Sequence, residues 1–131
     1  MSTLVARLLI GGFLIAHGLV HGLYFVTPNE DDPKWAFYLD RSWLLNRLGI
    51  DPRPVGTVLV VVVIAALVLS GVSLFVGLGV WRLFAVVGAA VGLVVFVLFW
   101  HRWLWIGTLL NAAIIVAIVW ANWPSASALG E

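Results

Sequence analysis

Four long stretches of almost uninterrupted apolar residues divide this sequence and predict four membrane-spanning helices. The stretches cover residues 3–26, 55–77, 81–100 and 104–123. Each is roughly 20 to 24 residues long, which suits an α-helix that crosses the hydrocarbon core of a bilayer. Apolar runs such as residues 58–68 show no alternation of apolar and polar positions. The pattern therefore predicts helices and excludes a transmembrane β-barrel.

Charged residues and prolines lie at the breaks between these stretches. Between residues 55 and 123 the only Lys, Arg, Asp or Glu residues are Arg82 and Arg102. We expect both, and Arg7 near the N-terminus, to reach towards lipid head groups. All prolines lie outside the apolar stretches, and the last two connections are short, so consecutive helices should be antiparallel neighbours. The predicted fold class is all-α: a polytopic membrane protein with a four-transmembrane-helix antiparallel bundle in a single domain, residues 1–131.

A long polar connection, residues 27–54, separates the first two predicted spans. It carries five of the six acidic residues and four of the seven basic ones, interleaved with aromatic and leucine side chains. The segment RSWLLNRLG predicts a short helix that is capped by Ser42 and ended by Gly49. A connection of this length either covers a site or lies on the membrane surface as an amphipathic anchor.

Composition supports a membrane protein and excludes several other classes of protein. Of the 131 residues, 63% are hydrophobic and only 10% are charged, whereas soluble domains have about 25% charged residues. The absence of cysteine from the sequence excludes thiol chemistry and disulfides. The net charge of +1 gives no reason to expect nucleic acid as a partner. The predicted partner is the lipid bilayer, and a homo-oligomer or a larger membrane complex is left open.

Small residues mark the faces on which the helices are expected to pack. Lipid tails give helices no hydrophobic reason to associate, so close approach at glycine becomes important. At 100° per residue, Gly11, Gly18 and Gly22 share one narrow arc of the first span. Gly88 and Gly92 repeat the GxxxG spacing in the third span. We expect both sets of glycines to contact neighbouring helices.

Polar side chains inside the first and fourth spans carry the main functional signal. His17 and His21 are one helical turn apart in the segment AHGLVHG, and Asn111 lies in the fourth span. Counted from the interface near Trp100 at 1.5 Å per residue, His17 and Asn111 lie at nearly equal depths of about 12 to 13 Å. His101 lies at the surface by the same count. We expect the intramembrane imidazoles and the amide to share one chamber.

Three interpretations of this polar cluster stay open. The side chains hydrogen-bond one another and hold the helices together, or they line a site for a quinone-like or other lipophilic ligand, or they bind a metal ion or haem. The predicted ligand-binding residues are His17, His21, Asn111, Trp43 and Trp100. The predicted metal ligands are His17, His21 and His101. No acidic residue lies within a span, which argues against an ion-coupled transporter, and whether the protein is an enzyme is left open.

Three segments carry a resemblance that covers nearly the whole chain: ARLLIGGFLIAHGLVHG at the start, RSWLL in the long connection, and GTLLNAAIIVAIV in the last span. With these segments the sequence resembles the DoxX-like family of small four-helix membrane proteins. The resemblance implies a prokaryotic cytoplasmic membrane, with His17 and Asn111 at the polar points of the bundle. The namesake of that family is a subunit of a thiosulfate:quinone oxidoreductase, although many members have no assigned activity. A redox-accessory role is therefore one implication.

Overall fold

The computed structural model describes residues 2–131 and shows helices without any strand in that part of the chain. Four helical segments are long and apolar enough to cross a membrane: Thr3–Phe25, Pro52–Phe75, Trp81–Leu98 and Arg102–Trp120. They pack against one another in a bundle. The predicted all-α fold class is confirmed, and Met1 of the predicted domain lies outside the described residues.

The first span changes its winding along its length. It starts as an α-helix, α1 (Thr3–Val20), and continues as a 3₁₀ turn, His21–Phe25. Ser2 caps the start, because its hydroxyl accepts a hydrogen bond from the backbone N–H of Val5 at 3.3 Å. No atom of residues 2–131 outside the local backbone lies within 4 Å of a Cβ built at Gly22. The contact predicted at Gly22 is wrong, because the tighter 3₁₀ winding changes the direction in which that residue faces.

The long connection contains the predicted short helix, α2 (Trp43–Arg47). Ser42 caps it by accepting a hydrogen bond from the Leu45 backbone N–H at 3.2 Å. Gly49 follows the end of α2 with a φ of +72°, a conformation that glycine adopts without strain. The cap predicted at Ser42 and the stop predicted at Gly49 are both confirmed.

The second span, α3 (Pro52–Phe75), begins three residues before the predicted start at residue 55. Asp51 precedes it and accepts a hydrogen bond from the Arg53 backbone N–H at 3.1 Å. Pro52 occupies the first helical position, where proline fits because the first N–H groups of a helix lack intrahelical partners. Pro52 and Pro54, which the hydrophobic pattern placed outside the span, therefore both belong to its first turn.

The third and fourth spans differ in regularity. The third is a single α-helix, α4 (Trp81–Leu98). The fourth begins with a 3₁₀ turn, Arg102–Leu104, continues as α5 (Trp105–Ile115) and ends with a π-helical turn, Val116–Trp120. Such π turns insert one extra residue per turn and are frequent at functional sites.

The spans pack in chain order, α1 against α3, α3 against α4, and α4 against α5. The backbones of α1 and α5 approach each other much less closely, which leaves a seam between the first and last spans. Glycines bring α3 close to both neighbours, since a Cβ at Gly18 would lie 2.8 Å from the Leu67 Cβ. A Cβ at Gly88 would lie 2.7 Å from the Leu67 Cγ. The contacts predicted at Gly18 and Gly88 are confirmed.

The C-terminal segment folds back on the end of the bundle and includes a short helix, α6 (Ala126–Leu129), which packs on α1. Arg7 Nε donates a hydrogen bond to the Leu129 carbonyl at 2.9 Å. Arg82 donates to the Pro124 carbonyl at 2.6 Å. Backbone carbonyls of this segment therefore hold both Arg7 and Arg82 at the end of the bundle, and their expected approach to lipid head groups stays a prediction.

Candidate functional site

His17 and Asn111 meet across the seam between the first and last spans. The distance from His17 Nε2 to Asn111 Oδ1 is 2.8 Å, and the two residues are only 8% and 0% exposed. Because the amide oxygen accepts, Nε2 carries the proton and donates, which leaves Nδ1 of His17 as an acceptor. The prediction that these two side chains share a depth and face each other is confirmed by this contact.

His21 extends the polar cluster by one turn towards the long connection. Its Nδ1 donates a hydrogen bond to the His17 carbonyl at 3.0 Å, so its Nε2 is a bare acceptor. That Nε2 is buried and has no hydrogen-bond partner within residues 2–131. The ring stacks on Phe96 with centroids 5.1 Å apart and meets His17 edge-on at 5.4 Å. The imidazole is therefore held in place by packing while one of its polar atoms stays unpaired.

The amide nitrogen of Asn111 is a second buried polar atom without a partner among the described residues. It lies against Gly92 of α4, where a Cβ would come within 2.6 Å of it. Glycine at position 92 therefore makes the room that the amide occupies. An unpaired buried donor or acceptor costs about 1–3 kcal/mol. Two such atoms in one cluster indicate that these side chains serve a function other than stabilising the fold.

An apolar groove of about 310 Å³ lies in the seam beside this cluster. Its wall includes Phe13 of α1, Ile114 of α5, Ala117 of the π turn, and two tryptophans, Trp81 and Trp123. It runs from the C-terminal segment towards the middle of the spans. The volume lies at the lower end of the range for small-molecule sites, about 300–1,000 Å³.

Phe13 and Ile114 separate the groove from the polar cluster. The Phe13 ring is stacked on the His17 imidazole, with centroids 5.7 Å apart and an interplanar angle of 5°. Ile114 lies one helical turn beyond Asn111 on α5. The wall of the groove does not itself include His17, His21 or Asn111. The groove therefore ends at Phe13 and Ile114, which lie between it and the histidine–asparagine pair.

Trp43 and Trp100 do not join this cluster. They lie together on the outer surface of the bundle around Val97, and they are 58% and 55% exposed. The Trp43 indole donates a hydrogen bond to the Val97 carbonyl at 2.6 Å, which holds it at the end of α4. The structure separates these two predicted ligand contacts from the histidines, and their position at a span end is typical of interfacial tryptophan.

His101 also lies apart from the other two histidines. Its Nε2 donates to the Pro33 carbonyl at 3.1 Å, and its Nδ1 accepts from the Trp103 backbone N–H at 3.2 Å. Among residues 2–131, no group of three or more histidine or acidic side chains lies close enough to hold a metal ion. The predicted set of His17, His21 and His101 is therefore not one metal site, because backbone contacts hold His101 in the turn after α4.

The sequence prediction missed the roles of two residues of the site, and only one of the two carried a usable signal. Phe13 precedes His17 by four residues, and residues at this spacing lie on one face of a helix, so the stacked pair was accessible to sequence reasoning. Gly92 was predicted only as a helix contact. Its role as the space for an amide depends on the rotation of α5 relative to α4, which the sequence pattern does not report.

Comparison with known proteins does not place the chain in a family. Neither protein-family models, nor curated proteins, nor solved structures give a match. The resemblance to the DoxX-like family therefore stays a prediction. The function has to be argued from the contacts at the site.

Proposed function

We propose that this membrane protein binds a quinone-like or other lipophilic molecule in the groove between α1 and the last span. The proposed setting is a redox-accessory, DoxX-like protein of a prokaryotic cytoplasmic membrane. The observation that carries the proposal is an apolar groove of about 310 Å³ whose wall includes Phe13, the side chain that stacks on His17 of the buried His17–Asn111 pair. An apolar wall with a few convergent polar atoms is the usual form of a site for a small lipophilic ligand.

The polar cluster offers such a ligand both a donor and an acceptor. The Asn111 amide nitrogen is an unpaired donor, and His21 Nε2 is an unpaired acceptor. A quinone carbonyl accepts a hydrogen bond from the amide, whereas the hydroxyl of the reduced quinol donates to the imidazole. Both atoms are buried, so a ligand that pairs with them has to displace the side chains packed around the cluster.

Access from the groove to these atoms runs past Phe13. Its side chain is exposed on one side and covers the His17 ring on the other. Rotation of this side chain uncovers the His17 ring, and the ligand ring then stacks on the imidazole in place of the phenyl ring. The ligand enters sideways from the hydrocarbon, since the groove lies at the seam between two spans.

Tryptophan fluorescence tests the proposal, because Trp81 and Trp123 line the groove and quinones quench indole emission. The full chain in lipid nanodiscs is titrated with decylubiquinone. We expect saturable quenching in the wild type and at least about a tenfold weaker affinity in Ala117→Phe. A loss of about 1.4 kcal/mol in binding free energy weakens the affinity tenfold. Ala117 lines the groove, so the new phenyl ring fills it.

Ala113→Phe is the matched control, because Ala113 lies one turn earlier on the same helix, is exposed, and does not line the groove. It should bind the quinone as the wild type does. Quenching that never saturates, or that is equal in all three proteins, would show that the quinone only partitions into the bilayer and would remove the proposal.

A structural subunit of a larger membrane complex is the second candidate function. The His17–Asn111 hydrogen bond favours it, because that bond joins the first and last spans where their backbones pack least closely. Polar contacts of this kind hold helices together in membranes without any ligand. In this case a stable partner co-purifies from native membranes, and Ala117→Phe leaves the function of that complex unchanged.

A further inference from the structure

The apolar groove between the first and last spans has two ends that differ in chemistry. Its wall lies within residues 9–14 of α1 and residues 114–118 of the last span. At 1.5 Å per residue these stretches are about 6 to 7.5 Å long. The inner end lies at Phe13, which stacks on the His17 imidazole. The outer end lies against Trp123 of the C-terminal segment.

The hydrogen-bonding groups at the outer end already have partners or face the membrane surface. The Trp81 indole donates to the Glu131 side chain at 2.8 Å, and the Pro124 carbonyl accepts from Arg82 at 2.6 Å. Among the described residues that line the groove, the remaining side-chain nitrogen is the indole of Trp123. That side chain is 58% exposed just beyond the last span, where tryptophan meets lipid head groups. A polar ligand group would lose hydrogen bonds at this end, whereas hydrocarbon loses none.

The inner end offers a place for a flat ring. The Phe13 phenyl ring and the His17 imidazole are nearly parallel, with an interplanar angle of 5° and centroids 5.7 Å apart. Phe13 is 43% exposed, so its side chain has room to rotate away from the imidazole. A ligand ring that takes the place of the phenyl ring keeps the stacking contact with His17.

We propose that the groove receives the hydrocarbon tail of the ligand, with the ligand ring inward at Phe13 and the tail directed outward to the C-terminal segment. This inference rests on the proposed function. The ligand class is then a quinone or similar amphiphile that carries a flat ring at one end of an alkyl or isoprenoid chain. An extended chain advances about 1.2 Å per bond, so about five or six carbons span the groove from Phe13 to its outer end.

The position of the two ends of the ligand tests this orientation more sharply than its affinity does. A tail that enters the groove leaves lipid hydrocarbon, which is as apolar as the wall, so the transfer itself gives little net stabilisation. Affinity alone therefore does not distinguish a tail in the groove from a ring in the groove. Photochemical labelling does, because it forms a covalent bond with the residues beside the reactive group.

Two photoreactive forms of decylubiquinone are compared on the full chain in lipid nanodiscs. One carries a diazirine at the fifth tail carbon and the other an azide on the ring. Mass spectrometry locates each label, and excess unmodified decylubiquinone identifies the specific labelling. We expect the tail label on the outer wall, at Leu9, Trp123 or Pro124, and the ring label at Phe13 or His17.

Ala117→Phe separates the two ends of the ligand, because the new phenyl ring fills the groove. Tail labelling of the outer wall should fall at least about tenfold, in line with the weaker affinity expected for this variant. A ring-azido quinone without a tail should still label Phe13 or His17 as in the wild type, which also shows that the variant folds. Ala113→Phe is the matched control, because Ala113 is exposed and does not line the groove. It should be labelled as the wild type is.

A ring label on the outer wall, a tail label at His17, or the same label positions for both probes would overturn the orientation and leave the proposed function standing. Labelling that excess decylubiquinone does not reduce would instead remove the proposed function, because it would show that the protein has no saturable site.

Discussion

The position of Asn111 in the candidate site depends on the absence of a side chain at Gly92. Asn111 is fully buried, and its amide nitrogen occupies the space in front of Gly92. Any larger residue at position 92 competes with the amide for that space. The hydrogen bond to His17 therefore depends on a glycine that belongs to a third helix.

Gly92→Ala should break the His17–Asn111 contact. The new Cβ would lie 2.6 Å from the amide nitrogen, so the amide has to move. We expect a loss of about 1–3 kcal/mol of unfolding free energy from strain and the lost hydrogen bond. Unfolding by sodium dodecyl sulfate, followed by tryptophan fluorescence, measures it.

Gly12→Ala is the control for that measurement. No atom of the described chain outside its local backbone lies within 4 Å of a Cβ at Gly12. Alanine there should leave stability unchanged or raise it by up to about 1 kcal/mol through helix propensity. Equal losses in the two variants would contradict the close approach of Gly92 to the amide.

The short helix α2 connects the loop to the end of α4. Ser42 accepts a hydrogen bond from the Leu45 N–H, and its hydroxyl donates to the Leu98 carbonyl at 2.7 Å. The last carbonyls of a helix have no intrahelical partner. One buried serine therefore caps the start of α2 and satisfies the end of α4, which holds the connection over the bundle.

Ser42→Ala should loosen the connection, because it removes both hydrogen bonds. We expect a cost of about 1–2 kcal/mol and several-fold faster trypsin cleavage at Lys34 and Arg41, since local opening exposes these bonds. Ser125→Ala is the control, because Ser125 caps only the four-residue helix α6. Cleavage at wild-type rates in Ser42→Ala would show that the connection is held by other contacts.

The complete bundle is a row of packed spans that leaves a seam between its first and last members. The groove lies in that seam, and the C-terminal segment covers its outer end through Trp123 and Pro124. Leu129 is fully buried against the bundle. The Trp81 indole donates a hydrogen bond to the Glu131 side chain at 2.8 Å. The C-terminal segment thus closes one end of the groove.

Leu129→Ala should release this segment. Truncation of a buried leucine costs about 2–5 kcal/mol, and the cost falls on the few contacts that hold residues 121–131. We expect faster amide hydrogen exchange in these residues and altered Trp81 emission. Leu78→Ala is the control, because Leu78 is exposed in the turn between α3 and α4. Unchanged exchange in Leu129→Ala would contradict a docked segment.

Sequence reasoning was accurate where a feature depends on neighbouring residues. The span predicted from residue 55 begins at Pro52, and the one predicted to end at residue 123 ends at Trp120. The cap at Ser42 was predicted correctly, because it depends only on residues within one helical turn. The helix contact predicted at Gly22 was wrong, because the hydrophobic pattern does not indicate the change to 3₁₀ winding after α1.

The four spans and the shared depth of His17 and Asn111 were determined by the sequence itself, because apolar length and the rise per residue of a helix are local properties. Only the tertiary structure decided that these two side chains meet, since the contact depends on how α1 and α5 are rotated. The same packing decided that His101 stays in a turn and that Tyr24 is buried between Phe37 and Phe99. Helix rotation results from contacts between distant residues, such as Gly18 with Leu67, and a single sequence does not display them.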